Sequence, residues 1–168
     1  MDDLLELNVG DHVVYPNHGA GVIMRLSQRE VMGKRQAYFE IELLKGGLQV
    51  MVPLARAQQL GLRRITAAEN IPALLSAFDP PDIDLPVAWT PRHRREQNLL
   101  SEGDIFKIAQ LVGTLHRRSH QRSLAVTERA IYEEAKSIIV TEMAVALTIP
   151  VSSAEAQVED QLALCLPA

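Results

Sequence analysis

Between residues 12 and 53 apolar and polar positions alternate with a period of two, the spacing of strands with one buried and one wet face. Phe39, Ile41 and Leu43 take one face, and Tyr38, Glu40 and Glu42 take the other. Four strands are expected, over about 12–15, 20–30, 35–44 and 48–53. Val13, Tyr15, Val22 and Ile23 favour pleated backbone, while Pro16, Asn17, Gly19 and Gly21 supply the fixed or positive φ of a reversal. Met32-Gly33-Lys34 and Lys45-Gly46-Gly47 carry the glycines of hairpin turns. The pattern predicts a half-open β-barrel of Tudor or SH3 type over residues 1–62.

After Leu62 the period lengthens to nearly four. Thr66-Ala67-Ala68-Glu69 reads as a capping box, with Ile71, Leu74, Leu75 and Phe78 on one side of the helix that follows. The adjacent Pro80 and Pro81 interrupt that helix, so residues 79–88 form an extended connector. Thr90-Pro91 predicts a second helix with a hydroxyl cap and proline in its first position, ended by Ser101-Glu102-Gly103-Asp104, which also caps the next. In that next helix Ile105, Ile108, Val112 and Leu115 share a stripe beside Phe106 and Leu111, and Lys107, His116, Arg117, Arg118 and Arg122 fall towards polar faces and the C-terminal end. A long helix over about 127–147 follows, and then a second capping box, Ser152-Ser153-Ala154-Glu155, before a short apolar helix. The fold class is α+β in two domains: a small β-barrel over 1–62 and an all-α bundle over 63–168 that includes the connector.

Net charge is −4 over 168 residues, which taken alone argues against a nucleic-acid binder. The distribution changes that picture. Residues 86–136 hold nine Lys and Arg against six Asp and Glu, whereas residues 137–168 hold four acids and no Lys or Arg. One basic segment on an acidic chain suits weak DNA contact assisted by a tethering partner. No apolar run approaches the roughly 20 residues of a membrane span, and the acidic start, Met1-Asp2-Asp3, is unlike a secretory signal. The single cysteine, Cys165, cannot form an internal disulfide; it is expected to be inert, in a cytoplasmic protein.

Few residues suggest catalysis. His18-Gly19-Ala20-Gly21 leads into a β-branched segment rather than a helix, so it reads as a turn and not as a phosphate loop. His116 and His120 are one helical turn apart but lack an evident third ligand. The carboxylates fall on expected helix surfaces or caps, and no nucleophile and base stand out; neither an active site, a metal nor a cofactor is expected.

Trp89, the only tryptophan, stands between the connector and a helix carrying Arg92, Arg94 and Arg95. It could pack on the bundle, as tryptophans commonly do, or form an exposed wedge for a base step with arginines on adjacent phosphates. Arg129 could contact DNA or pair with Glu133 four residues on. Arg29, Lys34 and Arg35 could meet an acidic partner or keep strand edges soluble.

The signature over residues 10–21, the strand pairs, Leu60-Gly61-Leu62-Arg63, the proline connector, the Trp89 region and the Arg117-Arg118 helix together resemble the CarD family of bacterial transcription regulators, in the right order along nearly the whole chain. The barrel alone is similar to the polymerase-interacting domain of the transcription-repair coupling factor. The resemblance implies that the barrel docks on the β subunit of RNA polymerase, and that the helical domain contacts promoter DNA at the upstream edge of the melted bubble. The family tryptophan, matched by Trp89, wedges there into the minor groove. Family DNA-contacting positions match Arg92, Arg94 and Arg129; polymerase-contacting positions match Arg29 and Met51, the latter an arginine in relatives. Pro91 stands where some relatives have a basic residue. A monomer is expected. The competing expectation is a protein-binding adaptor without DNA contact and with Trp89 in its core; an RNA-binding barrel is disfavoured by the net −1 charge of residues 1–61.

Overall fold

The structure is a computed structural model and describes residues 6–166. The chain divides into two units, Met1–Ile65 and Thr66–Ala168. The first is an antiparallel five-stranded sheet: β1 (His12–Tyr15), β2 (Gly19–Val31), β3 (Lys34–Leu43), β4 (Gln49–Pro53) and β5 (Arg63–Arg64), in the order β4-β3-β2-β1-β5. It is a small Tudor-like barrel of the kind the alternation predicts. Phe39, Ile41 and Leu43 join Val13, Ile23, Val52 and Leu62 in its core. The sequence puts the domain boundary after residue 62; Arg63 and Arg64 pair with Val14 and Val13, which keeps the chain in the first unit to Ile65.

Two local features bend this sheet. The β2–β3 register slips between Ile23 and Arg25, so Met24 is an extra residue that turns the strand and lets charged side chains follow apolar ones on successive faces. Gly21 lies so close to β3 that a Cβ there would sit 2.7 Å from the Glu42 carbonyl oxygen, an approach only glycine permits.

The second unit holds α1 (Ile71–Ser76), α2 (Trp89–Glu102), α3 (Ile105–Gln121), α4 (Val126–Leu147) and α5 (Val151–Leu164). Their apolar faces meet in one core, with Phe78, Leu99, Ile108, Leu111, Leu115 and Ile139 among its buried members. Asp104 caps α3 as expected, accepting from the Phe106 and Lys107 amides, and Gly103 ends α2 with φ of 73°.

Several expected local details are corrected. Neither capping box forms: the Thr66 amide and hydroxyl both donate to Glu142 Oε1, at 3.0 and 2.8 Å, and α5 starts from Pro150 without a side-chain cap. Thr66 thus satisfies a carboxylate buried on α4 instead of its own helix. Helix α2 begins at Trp89, one residue before Thr90, and Ala88 is its N-cap. Pro91 is therefore the third helical residue, still within the first turn where an amide has no intrahelical acceptor to lose. Phe106 is exposed at the edge of its stripe.

Arg117 is not on a polar face; it is buried. Its Nη1 donates to the Phe78 carbonyl at 2.6 Å and its Nε to Asp82 Oδ1 at 2.6 Å. One turn earlier on α3, Gly113 presses against the same Phe78 carbonyl, and Thr114 Oγ1 accepts the Ile83 amide at 3.0 Å. Cys165 Sγ donates to Asp79 at the connector's start, and burial first, then the Asp79 hydrogen bond and charge, push the thiol up to about 11, in keeping with an unreactive side chain. The connector is thereby fastened along α3 by side chains on both sides of Pro80-Pro81.

Two stability effects follow. A Cβ at Gly113 would overlap the Phe78 carbonyl oxygen, so Gly113→Ala is expected to cost about 2–3 kcal/mol in chemical denaturation, the range of an overpacked core site. Thr66→Val removes one donor to the buried Glu142 and is expected to cost about 1–2 kcal/mol by the same assay.

Candidate nucleic-acid interface

Trp89 occupies the first position of α2 and is 38% exposed, so its ring is not a core side chain. Helical spacing supplies its supports: His93, four residues on, stacks on it with centroids 5.1 Å apart, and the Arg92 guanidinium lies 5.3 Å from the ring centre. An apolar ring is held at the rim of the bundle with one part packed and the other open.

Arg92 is only 8% exposed. Its Nε donates to Glu128 Oε2 at 2.8 Å and its Nη1 to the Val87 carbonyl at 2.6 Å, so it ties the last turn of the connector to the first turn of α4. Glu128 also accepts from Arg118 Nε of α3 at 3.2 Å. Behind Arg92, one turn along α2, Glu96 is fully buried, its carboxylate oxygens meet no donor among the described residues, and it interacts electrostatically with Glu128. Two neighbouring carboxyl groups in a buried site disfavour each other's ionisation, so one of them keeps its proton more readily. Burial first, then the hydrogen bond and charge of Glu128, push Glu96 up to about 8, against the pull of Arg92 and Arg118. Burial also opposes ionisation of Glu128, but the hydrogen bonds from Glu96 and Arg92 and the charges of Arg92 and Arg118 outweigh it and hold Glu128 below the usual carboxylate range. Glu96 is the neutral partner and Glu128 the charged one.

The other expected positions differ in what they are free to do. Arg94 and Arg95 are exposed on α2 and make no ion pair among the described residues. Arg129, next to Glu128, is exposed and loosely paired with Glu133 at 3.9 Å. Through the Arg92–Glu128 bond the start of α4, and with it Arg129, is brought to the start of α2. Among the described residues no group of three metal-ligating side chains occurs; His116 instead bonds Tyr132 Oη through Nδ1 at 2.8 Å.

In the first unit Arg29 pairs with Gln36 and Met51 with Glu40, positions of one parity on β3. Both therefore stand on the outer face of the sheet, Arg29 exposed on the distal half of β2 and Met51 half-buried on the edge strand β4. Arg25, which the sequence reading passed over, shares that face and pairs with Glu40, Met51's cross-strand neighbour.

Sequence reasoning also missed Glu96 and Glu128, placing the carboxylates on helix surfaces. The signal was present: Glu128 stands three, four and seven residues before Ile131, Tyr132 and Ala135, and Glu96 three and four before Leu99 and Leu100, all buried.

Residues 7–66 match the family described as CarD-like/TRCF RID domain, and residues 73–159 match CarD, C-terminal domain. YdeB of Bacillus subtilis (strain 168), whose name marks it as a proposed transcription factor, is 25% identical over 137 residues, 82% of this chain and 90% of YdeB. The solution NMR structure of the 72-residue N-terminal domain of Myxococcus xanthus CarD is 35% identical over 36% of this chain and 80% of that one, with a TM-score of 0.32. CdnLNt from the same organism is 35% identical over 36% of this chain and 84% of its own, also with a TM-score of 0.32. The RID module is an RNA polymerase-interaction domain, which gives RNA polymerase as the partner in general terms. No helix among the described residues is long and apolar enough to cross a membrane. With the carboxy-terminal match alone spanning half of its length and the polymerase-interaction module preceding it, the chain belongs to the CarD family, transcription regulators that are typically not enzymes.

Proposed function

We propose that this protein docks through its barrel on the β subunit of RNA polymerase and stabilises the open promoter complex by contacting DNA at the upstream edge of the bubble, with Trp89 as a minor-groove wedge. The observation that carries the reading is the exposed, braced position of Trp89 at the start of α2. A wedge must hold its ring out of the core and still resist being pushed back, and His93 and Arg92 give it that support. The first turn of α2 has no side-chain cap, so its partial positive charge and unpaired amides face the same way as the helix start, a favourable setting for phosphate.

The buried state of Arg92 divides the expected DNA contacts into two kinds. Arg94 and Arg129 are accessible to phosphate, with Arg95 beside them; Arg92 acts through Trp89 and the connector. On the barrel, Arg29 and Met51 belong to the docking face, and Arg25 supplies a cation close to the position where relatives carry a second arginine. An apolar Met51 packs against the partner there without pairing with a carboxylate.

Energetically the protein is a brace: it shifts the closed-to-open equilibrium by the difference between its affinities for the two states. Docking on polymerase raises the local concentration of the bundle at the bubble, so intrinsic DNA affinity can be low. Promoters with unstable bubbles respond most.

The test is the lifetime of open complexes on a ribosomal RNA promoter with cognate polymerase. The wild-type protein is expected to lengthen it and Trp89→Ala, confirmed folded, to lose most of the effect; no wild-type effect would reject the reading, and an effect indifferent to Trp89 would reject the wedge. Arg92→Ala and Arg94→Ala are expected to separate. The first should destabilise the fold by about 3 kcal/mol, by uncovering the buried Glu128 carboxylate, and the second should leave stability within about 0.5 kcal/mol while weakening DNA binding.

A further inference from the structure

Glu96 is fully buried on α2, and among the described residues neither of its carboxylate oxygens receives a hydrogen bond from a donor group. The neighbour that acts on it most strongly is another carboxyl, Glu128 of α4, which is itself buried and held by Arg92. The charged groups facing it from the packed elements are Arg92 on its own helix, Glu128 on α4 and Arg118 on α3. An unpartnered carboxylate in such a place would be costly, and an apolar side chain would fill the space at no electrostatic cost. What the carboxyl group adds is a proton that can be given to Glu128.

We infer that Glu96 is a positioning residue for Trp89: its proton bridges the Glu96 and Glu128 carboxyls, leaving one negative charge to fix Arg92 beneath the tryptophan ring and against the Val87 carbonyl. Beyond the Glu96–Glu128 pair the contacts run from Glu128 Oε2 to Arg92 Nε at 2.8 Å, and from Arg92 to the Val87 carbonyl at 2.6 Å and to the Trp89 ring at 5.3 Å, with Glu96 one turn from Arg92 on the same helix. Once the proton leaves, two anions face each other inside the bundle. Glu96, one turn from Arg92 on the same helix, then competes with Glu128 for the guanidinium that carries Trp89. The inference rests on the proposed role of Trp89 for its consequence in transcription, but not for the coupling itself.

The proton is retained in the folded chain up to about pH 8, whereas in the unfolded chain a glutamate loses it near 4.5. The stabilisation that Glu96 gives relative to a group that cannot titrate is therefore greatest below 4.5 and is lost as pH rises from there through about 8. Glu96→Gln keeps a donor towards Glu128 and cannot ionise.

Trp89 is the only tryptophan, so its emission reports this site alone. The experiment follows that emission through pH 8 in the full chain, wild type against Glu96→Gln. The expected result is a reversible change in intensity or wavelength in the wild type that is absent in Glu96→Gln. His93, stacked on Trp89, is present in both chains, so the comparison cancels its effect on the emission. A flat wild-type profile, or the same transition in both chains, overturns the inference; should Glu96→Gln not fold, the wild-type profile decides, a flat one overturning it and a reversible transition centred near pH 8 supporting it. Open-complex lifetimes with polymerase, taken as the ratio of wild type to Glu96→Gln below and above pH 8, separate the two proposals. A ratio that falls several-fold above pH 8 supports both, whereas an unchanged ratio alongside a wild-type-only emission transition upholds the positioning of Trp89 and rejects its role as the wedge.

Discussion

A single ionised carboxylate inside the helical unit organises the exposed end of that unit. Glu128 accepts guanidinium groups from two other helices, Arg92 of α2 and Arg118 of α3, so three helices meet at one charge. Burying an ion is unfavourable unless its lone pairs are filled, and here the requirement fixes geometry: with either arginine displaced the charge is left partly unsatisfied. The apolar core holds the helices together over most of their length, but apolar contacts tolerate sliding, and directed hydrogen bonds do not. The charge network sets where the start of α2 lies relative to the start of α4, and hence where Trp89 stands.

The connector is held by the same logic at its other end. Phe78 ends the first helical segment with its carbonyl pressed between Gly113 and the Arg117 guanidinium, and Asp82 and Ile83 are bound by Arg117 and Thr114. A stretch rich in proline that could have been a loose tether is a fitted part of the bundle, delivered to Val87 and from there to Trp89. Fastening it at several points lowers the freedom that Trp89 would otherwise lose on meeting any partner, DNA in the function proposed above.

The barrel was legible in the sequence because alternation of Phe39, Ile41 and Leu43 with polar residues, and glycines at the turns, are local signals that local physics obeys. The helices were legible for the same reason. What failed were readings that assumed a polar side chain serves its own segment. Thr66 looked like a cap and instead bonds Glu142, 76 residues away; Arg117 looked like a surface cation and instead bonds Phe78, 39 residues back. Such partners are chosen by the tertiary fold, and no spacing rule within one helix reveals them. Glu96 and Glu128 were different, since their helical phase set them on the buried face. Composition, which makes a buried glutamate improbable, hid what the periodicity contained. The exposure of Trp89, Arg94 and Arg129 was among the alternatives the sequence offered, whereas the buried network beneath Trp89 was not.

The internal use of cations has a consequence for ionic strength. Of the nine Lys and Arg in the helical unit, Arg92, Arg117 and Arg118 are engaged inside it and Lys107 and Lys136 pair with glutamates, leaving Arg94, Arg95 and Arg122 without an ion partner among the described residues and Arg129 only loosely held. Each phosphate neutralised contributes about −0.9 to the slope of log affinity against log salt, so three or four such contacts give a slope of roughly −3 to −4. On the proposed reading this is a shallow counterion dependence, and a correspondingly large share of the binding to DNA would come from the apolar ring, which salt does not screen.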